Sequence, residues 1–308
     1  MTSTITTSRT RALLWSSWVV LGLLLLPIGN GPLYFAAVAG SALVVAMIPG
    51  AVPHIARPSG EGADISDLTV IGALYVVVVA LNSAAFLGFT VDHVAGLFLC
   101  FAAALLLGVA GPLIYTARVR HRPLSDLGLR RDNLRAAAAF ALVFAAIQFG
   151  LTLWGYDLPA PVDWVPLLVM ALVVGVFESV FFRGFIQTRL EAQFGTVAGV
   201  GGAALLYGAY HVGFGMTGTE LLFLTGLGIV YAVAFAIARN LIVLWPLLTP
   251  LGSFYATVEA GDIELPWASI AGFADVLGLM LVSWWLVQRY QRKHQRAGDR
   301  VAEPATEA

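Results

Sequence analysis

Residues 164–182 read WVPLLVMALVVGVFESVFF, and residues 183–187 continue as RGFIQ. The first run is about the length at which a mostly apolar helix crosses a bilayer, roughly 20 residues. It nevertheless contains a carboxylate, Glu178, and is followed at once by a guanidinium, Arg183. A charge inside hydrocarbon is costly and marks a functional candidate by default. The rest of the chain agrees with a membrane reading. Of its 308 residues 59% are hydrophobic and 11% charged, and the mean hydropathy is +0.85. Soluble domains carry about 25% charged residues. A soluble enzyme, a disordered scaffold and a nucleic-acid binder are therefore excluded. Cys100 is the single cysteine, so neither an intramolecular disulfide nor a multi-cysteine metal site exists.

Working outward, ten apolar runs are candidate spans: 13–28, 33–47, 68–89, 95–115, 136–153, 164–182, 197–212, 221–237, 241–256 and 267–287. The second and ninth are short or interrupted by Gly and Pro, so either suits a re-entrant segment. With a cytoplasmic N-terminus and ten crossings, all 17 basic residues fall on the cytoplasmic side. The outer side receives Asp92, Asp157, Asp163, Glu220, Glu259, Asp262 and Glu264, without Lys or Arg. A wrong span count would scatter arginines onto both faces. The expectation is an all-α polytopic transmembrane helical bundle of about ten spans, both termini cytoplasmic. The first run is read as a retained span, since it is longer than a signal-peptide core and flows into a second apolar run. The basic residues are 16 Arg and Lys293, which with abundant Ala, Val, Leu and Gly points to a GC-rich bacterial genome and hence to the bacterial plasma (inner) membrane.

Within the spans the ionisable groups are Glu178, His211 and Asp275, with Arg183 at the cytoplasmic edge of the sixth. A carboxylate taken out of water needs a cation or hydrogen-bond donors to keep its charge. Near neutrality it suits a general base that activates water. Histidine offers a second proton carrier or a donor to a developing oxyanion. Structural alternatives stand beside each reading. Glu178 is paired with Arg183 or with backbone donors; Arg183 snorkels to the headgroups; His211 packs near the outer edge; Asp275 bonds between helices. On a straight α-helix five residues turn about 140°, so Glu178 and Arg183 do not share a face. Gly195 and Gly199 read as a close-packing pair, and the arginines between 118 and 135 as headgroup contacts.

Three landmarks in one register resemble the CAAX-protease and bacteriocin-processing (CPBP) family of membrane proteins. Phe177-Glu178-Ser179-Val180-Phe181-Phe182-Arg183-Gly184 is similar to its Glu-Glu-x-x-x-Arg motif. Tyr207-Gly208-Ala209-Tyr210-His211 is similar to its aromatic-x-x-x-His motif. Leu244-Trp245-Pro246 precedes the place of its His-x-x-x-Asn motif, and Leu127-Gly128-Leu129-Arg130-Arg131 looks like the run that leads into its core. The resemblance covers about 127–255. It divides the chain into N-terminal spans 1–117, a basic cytoplasmic linker 118–135, a CPBP-like membrane core 136–258, and a final span with cytoplasmic tail 259–308. It implies that Glu178 activates the attacking water, that His211 helps hold the substrate carbonyl, and that Arg183 organises the cytoplasmic end of its helix. Two departures matter. Ser179 stands for the second Glu. The third motif has no histidine: one alignment puts Leu251 and Tyr255 at the His and Asn positions, a shifted one puts Thr249 and Ser253 there. Thr249, Ser253 and Tyr255 are thus the candidate substitute donors. Losing one oxyanion donor costs ~100–1,000-fold in rate.

Three functions stay open on these residues. The leading one is an intramembrane endopeptidase that hydrolyses a peptide or protein substrate with Glu178-activated water. The alternative is a catalytically degenerate scaffold or bacteriocin self-immunity protein. The third is a transporter whose Glu178, His211 and Asp275 relay protons or substrate. No cofactor is certain; a divalent metal is open, with Glu178 and His211 as its ligands, although zinc sites usually take three protein ligands. The expected partners are the lipid bilayer and a peptide or membrane-protein substrate, and no nucleic acid.

Overall fold

The structure is a computed structural model that describes residues 2–25, 27, 31–52, 65–89, 93–130 and 173–241. All regular structure among them is helical. The helices are α1 (Thr2–Leu25), α2 (Gly31–Met47), α3 (Ile65–Phe89), α4 (Val94–Val119), α5 (residues 173–194), α6 (Thr196–Tyr210) and α7 (Gly218–Ala238). A 3-10 turn, Leu124–Leu127, follows α4, and another, His211–Phe214, continues α6. α3, α4, α7 and the segment Thr196–Phe214 are long and apolar enough to cross a membrane. These four coincide with the third, fourth, eighth and seventh runs expected from sequence. In α2 the apolar stretch is shorter, Ala36–Met47. The runs at 136–153 and 267–287, residues 164–172 of the sixth, and the ninth beyond residue 241 lie outside the described residues, which therefore do not test the count of ten.

Water exclusion does not drive apolar helices together in lipid. Close packing, small residues and interhelical hydrogen bonds do so instead. The core shows all three. α7 packs along α6 and against α2; α5 packs on α6 and α4; α3 packs on α4 and on the 3-10 turn after α6. Phe181, Phe182 and Phe185 of α5 are fully buried, as are Phe101 of α4, Phe235 of α7 and Tyr210 of α6. Glycines make room for rings and backbones. A side chain at Gly108 would overlap Phe177, and one at Gly228 would lie 2.9 Å from Tyr207. Large apolar side chains elsewhere point outward, among them Leu24, Val76, Leu87, Leu205 and Leu222, as a lipid-facing girdle requires.

Polar clasps hold one end of the bundle. The Asp67 carboxylate at the start of α3 accepts from Tyr115 Oη (2.7 Å) and faces Arg120 Nε (3.3 Å) and Arg189 Nε (3.7 Å). Arg189 also donates to Thr116 Oγ1. Nearby on α5, Glu191 pairs with Arg239 Nη2 (2.6 Å) from the end of α7 and accepts from Gln187. The linker belongs to this end as structure and not only as headgroup contacts. Leu127 is fully buried, and Gly128 accepts a backbone hydrogen bond from Leu241. The Gly195/Gly199 pair divides its work. Gly199 lies against the Glu191 backbone, whereas Gly195 has nothing near its missing side chain and instead supplies φ +86° for the turn between α5 and α6.

Candidate active site

Glu178 and Arg183 sit on α5 where the helix changes type. Helical residues 173–178 pass into a π-helix over Ser179–Gln187, which returns to α-helix at Thr188–Phe194. In a π-helix the hydrogen bonds run i to i+5, so residues five apart lie nearly one above the other; such segments are rare and frequent at functional sites. The wider turn brings Glu178 and Arg183 closer around the helix axis than the straight α-helix expected from sequence. Two packing demands accompany the wide turn. A side chain at Gly184 would lie 2.7 Å from Leu127 O, and Phe181, Phe182 and Phe185 all need buried space around it. Continuing the helix to Phe194 also places Glu178 well inside its length.

Opposite α5 stands the last turn of α6. Glu178 is 6% exposed, and its Oε1 accepts from Tyr210 Oη at 2.6 Å. Tyr207 stands three residues earlier on the same face of α6. His211 is buried and closes α6. Its Nδ1 lies 2.9 Å from Tyr207 O. A carbonyl oxygen only accepts, so Nδ1 carries the hydrogen, and in the neutral ring Nε2 is then an acceptor. The imidazole lies 4.1 Å from the Tyr210 ring, centroid to centroid, and 5.5 Å from Phe214. Glu178 and His211 thus share one neighbour, Tyr210, which bonds the first through its hydroxyl and packs on the second through its ring.

Arg183 is 3% exposed, so it does not snorkel to the headgroups. Its guanidinium carbon lies 4.4 Å from the Tyr207 ring centroid, 5.5 Å from Tyr231 and 5.9 Å from Phe182. These ring faces attract a cation. Among the described residues neither Nη1 nor Nη2 has a hydrogen-bond partner, and Arg183 forms no ion pair with Glu178. The reading of Glu178 as a carboxylate held by Arg183 is replaced by one held by Tyr210.

Sequence reasoning missed Tyr210 and Tyr231 as parts of this cluster and treated Tyr207 only as a motif letter. The signal was present in Tyr207-x-x-Tyr210-His211, which puts two phenols and an imidazole on adjoining positions of one helix end. Thr249, Ser253, Tyr255 and Asp275 lie outside the described residues. Metal binding does not fit the described part of the site. Glu178 and His211 are two ligand-type side chains, but no group of three or more His, Cys, Asp or Glu gathers among the described residues.

Residues 159–247 match the family model described as Type II CAAX prenyl endopeptidase Rce1-like. Glu178, Arg183, Tyr207, Tyr210, His211 and Tyr231 all fall inside the matched segment. The CPBP resemblance carried by the motifs is shown over this segment, and with the apolar helices it makes the chain an integral membrane protein. Comparisons with curated proteins and with solved structures find no match.

Proposed function

We propose that the chain is an intramembrane endopeptidase that hydrolyses a peptide or protein substrate with water activated by Glu178. One observation carries this reading: a buried carboxylate is held by the Tyr210 hydroxyl, with His211 against the same tyrosine. In the proposed step Glu178 takes a proton from water as the oxygen attacks the substrate carbonyl. His211 Nε2, an acceptor in the neutral ring, orients that water through its second hydrogen. When the tetrahedral intermediate collapses, Glu178 returns the proton to the leaving nitrogen and the C–N bond breaks. The aromatic wall of Phe177, Phe181, Phe182 and Phe214 keeps bulk water out, which strengthens the electrostatics inside. Placement in a bacterial inner membrane, both termini in the cytoplasm, is supported by the one-sided arginine distribution.

The absence of histidine from 249–255 favours a second reading, a degenerate relative that binds or shields a membrane partner. Glu178→Gln separates the two. It keeps size and one acceptor oxygen but removes the base, so turnover in a broad peptide screen falls by ~100-fold or more. If the wild-type protein cleaves nothing and Glu178→Gln leaves the cellular phenotype intact, the binding reading replaces the hydrolytic one.

A further inference from the structure

Arg183 is the group whose bonding the described site leaves incomplete. Arginine carries five N–H donors in a planar fork, and a buried donor without a partner costs stability comparable to a lost hydrogen bond or more. The rings of Tyr207, Tyr231 and Phe182 take up its charge but offer no in-plane acceptor to Nη1 and Nη2. The nearest carboxylate on its own helix face, Glu178, is engaged by Tyr210 instead. A base and an unfilled anion receptor thus stand one π-helical turn apart on one wall.

We infer that Arg183 is the oxyanion donor of this site, a catalytic residue that stands in for the missing third-motif histidine and binds the oxygen of the scissile carbonyl as it becomes negative. The inference rests on the hydrolytic reading above. As the water oxygen bonds to the carbonyl carbon, its proton passes to Glu178 and the carbonyl π-electron pair moves onto the oxygen that faces Nη1 and Nη2. On collapse that pair re-forms the C=O bond, the C–N bond breaks, and the proton moves from Glu178 to the amine. Water is the only co-reactant. His211 does not supply this donor in its neutral form, because its hydrogen is directed to Tyr207 O. The Tyr207 ring, 4.4 Å from the guanidinium carbon, holds the cation in place in advance, the condition under which a donor needs no reorganisation during the reaction.

The test uses the full chain in detergent micelles as wild type, Arg183→Gln and Arg183→Lys. The binding probe is sodium acetate, a small anionic oxygen donor-seeker, compared with sodium chloride at equal ionic strength. The expected result is a thermal midpoint raised by acetate in the wild type, less in Arg183→Lys, and not in Arg183→Gln. In turnover of any peptide cleaved, Arg183→Gln lowers kcat by ~100–1,000-fold with KM nearly unchanged. Arg183→Lys keeps the charge and the ring contact but loses the fork, and lowers kcat less; it serves where Arg183→Gln does not fold. An acetate shift that is absent in the wild type or survives in Arg183→Gln overturns the inference, even if cleavage depends on Glu178. Wild-type kcat in Arg183→Lys overturns it too. An acetate shift that requires Arg183 in a protein that cleaves no peptide overturns the hydrolytic reading and with it the oxyanion role, leaving a bare anion site.

Discussion

Tyr210→Phe removes one oxygen atom from the centre of the site and nothing else. The ring keeps its contacts with Phe182, 4.8 Å between centroids, and with His211 at 4.1 Å. What is lost is the 2.6 Å bond from Tyr210 Oη to Glu178 Oε1, a length in the range of charge-assisted O–H···O⁻ bonds. Hydrogen bonds to charged groups contribute about 1.5–3 kcal/mol, and neutral ones about 0.5–1.5 kcal/mol. Tyr210→Phe should therefore lower stability by about 1.5–3 kcal/mol, toward the upper end because the carboxylate is 6% exposed and water does not readily replace the phenol. In a Glu178→Gln background the same change should cost only about 0.5–1.5 kcal/mol, since the bond is then neutral. The double-mutant cycle thus predicts a coupling of about 1–2 kcal/mol. Unfolding in mixed micelles titrated with SDS, followed by far-UV circular dichroism, measures all four corners. A coupling within about 0.5 kcal/mol of zero, the additivity expected of independent sites, would refute the claim that the phenol holds an ionised Glu178.

The other predictions concern the frame around the site. In a Cys100→Ala background, a cysteine at Glu220 and one at Arg122 should react with impermeant reagents from opposite sides of the membrane; labelling of both from one side would sink the arginine-based orientation. Arg239→Ala strips the ion pair from Glu191, whose side chain is 1% exposed, and should destabilise by about 3–5 kcal/mol, part of it recovered by adding Glu191→Gln. Gly199→Ala would set a carbon 2.6 Å from Glu191 N and should cost about 1–3 kcal/mol in SDS unfolding, whereas Gly201→Ala, with nothing within 4 Å, should be tolerated; equal costs would contradict the α5–α6 packing.

Much of the site was legible because its residues break the local pattern. Glu178, Arg183 and His211 stand out against apolar runs, and the matched family segment contains all three. Their mutual geometry was not legible. Counting residues at α-helical pitch placed Glu178 and Arg183 on different faces, whereas the helix widens to a π-helix over Ser179–Gln187, where Gly184 lies close against Leu127 of the linker. Buried tyrosines were overlooked for a related reason. A phenol in an apolar run looks like core until a carboxylate from another helix is found within reach of its hydroxyl, as Glu178 is for Tyr210.

From sequence alone came the membrane class, most of the span positions that the described residues cover, and the residue types of the candidate site. Each follows from local composition: about 20 apolar residues make a span wherever they occur, and intramembrane charge is rare enough to be conspicuous. The tertiary structure alone decided that Asp67 gathers Tyr115, Arg120 and Arg189, that Glu191 takes Arg239, and that Glu178 is held by a tyrosine while Arg183 keeps its amino groups unbonded. Those pairings join residues 32–122 positions apart along the chain. A hydrogen bond needs its partners within about 3 Å, and which distant groups come that close is set by how the helices pack.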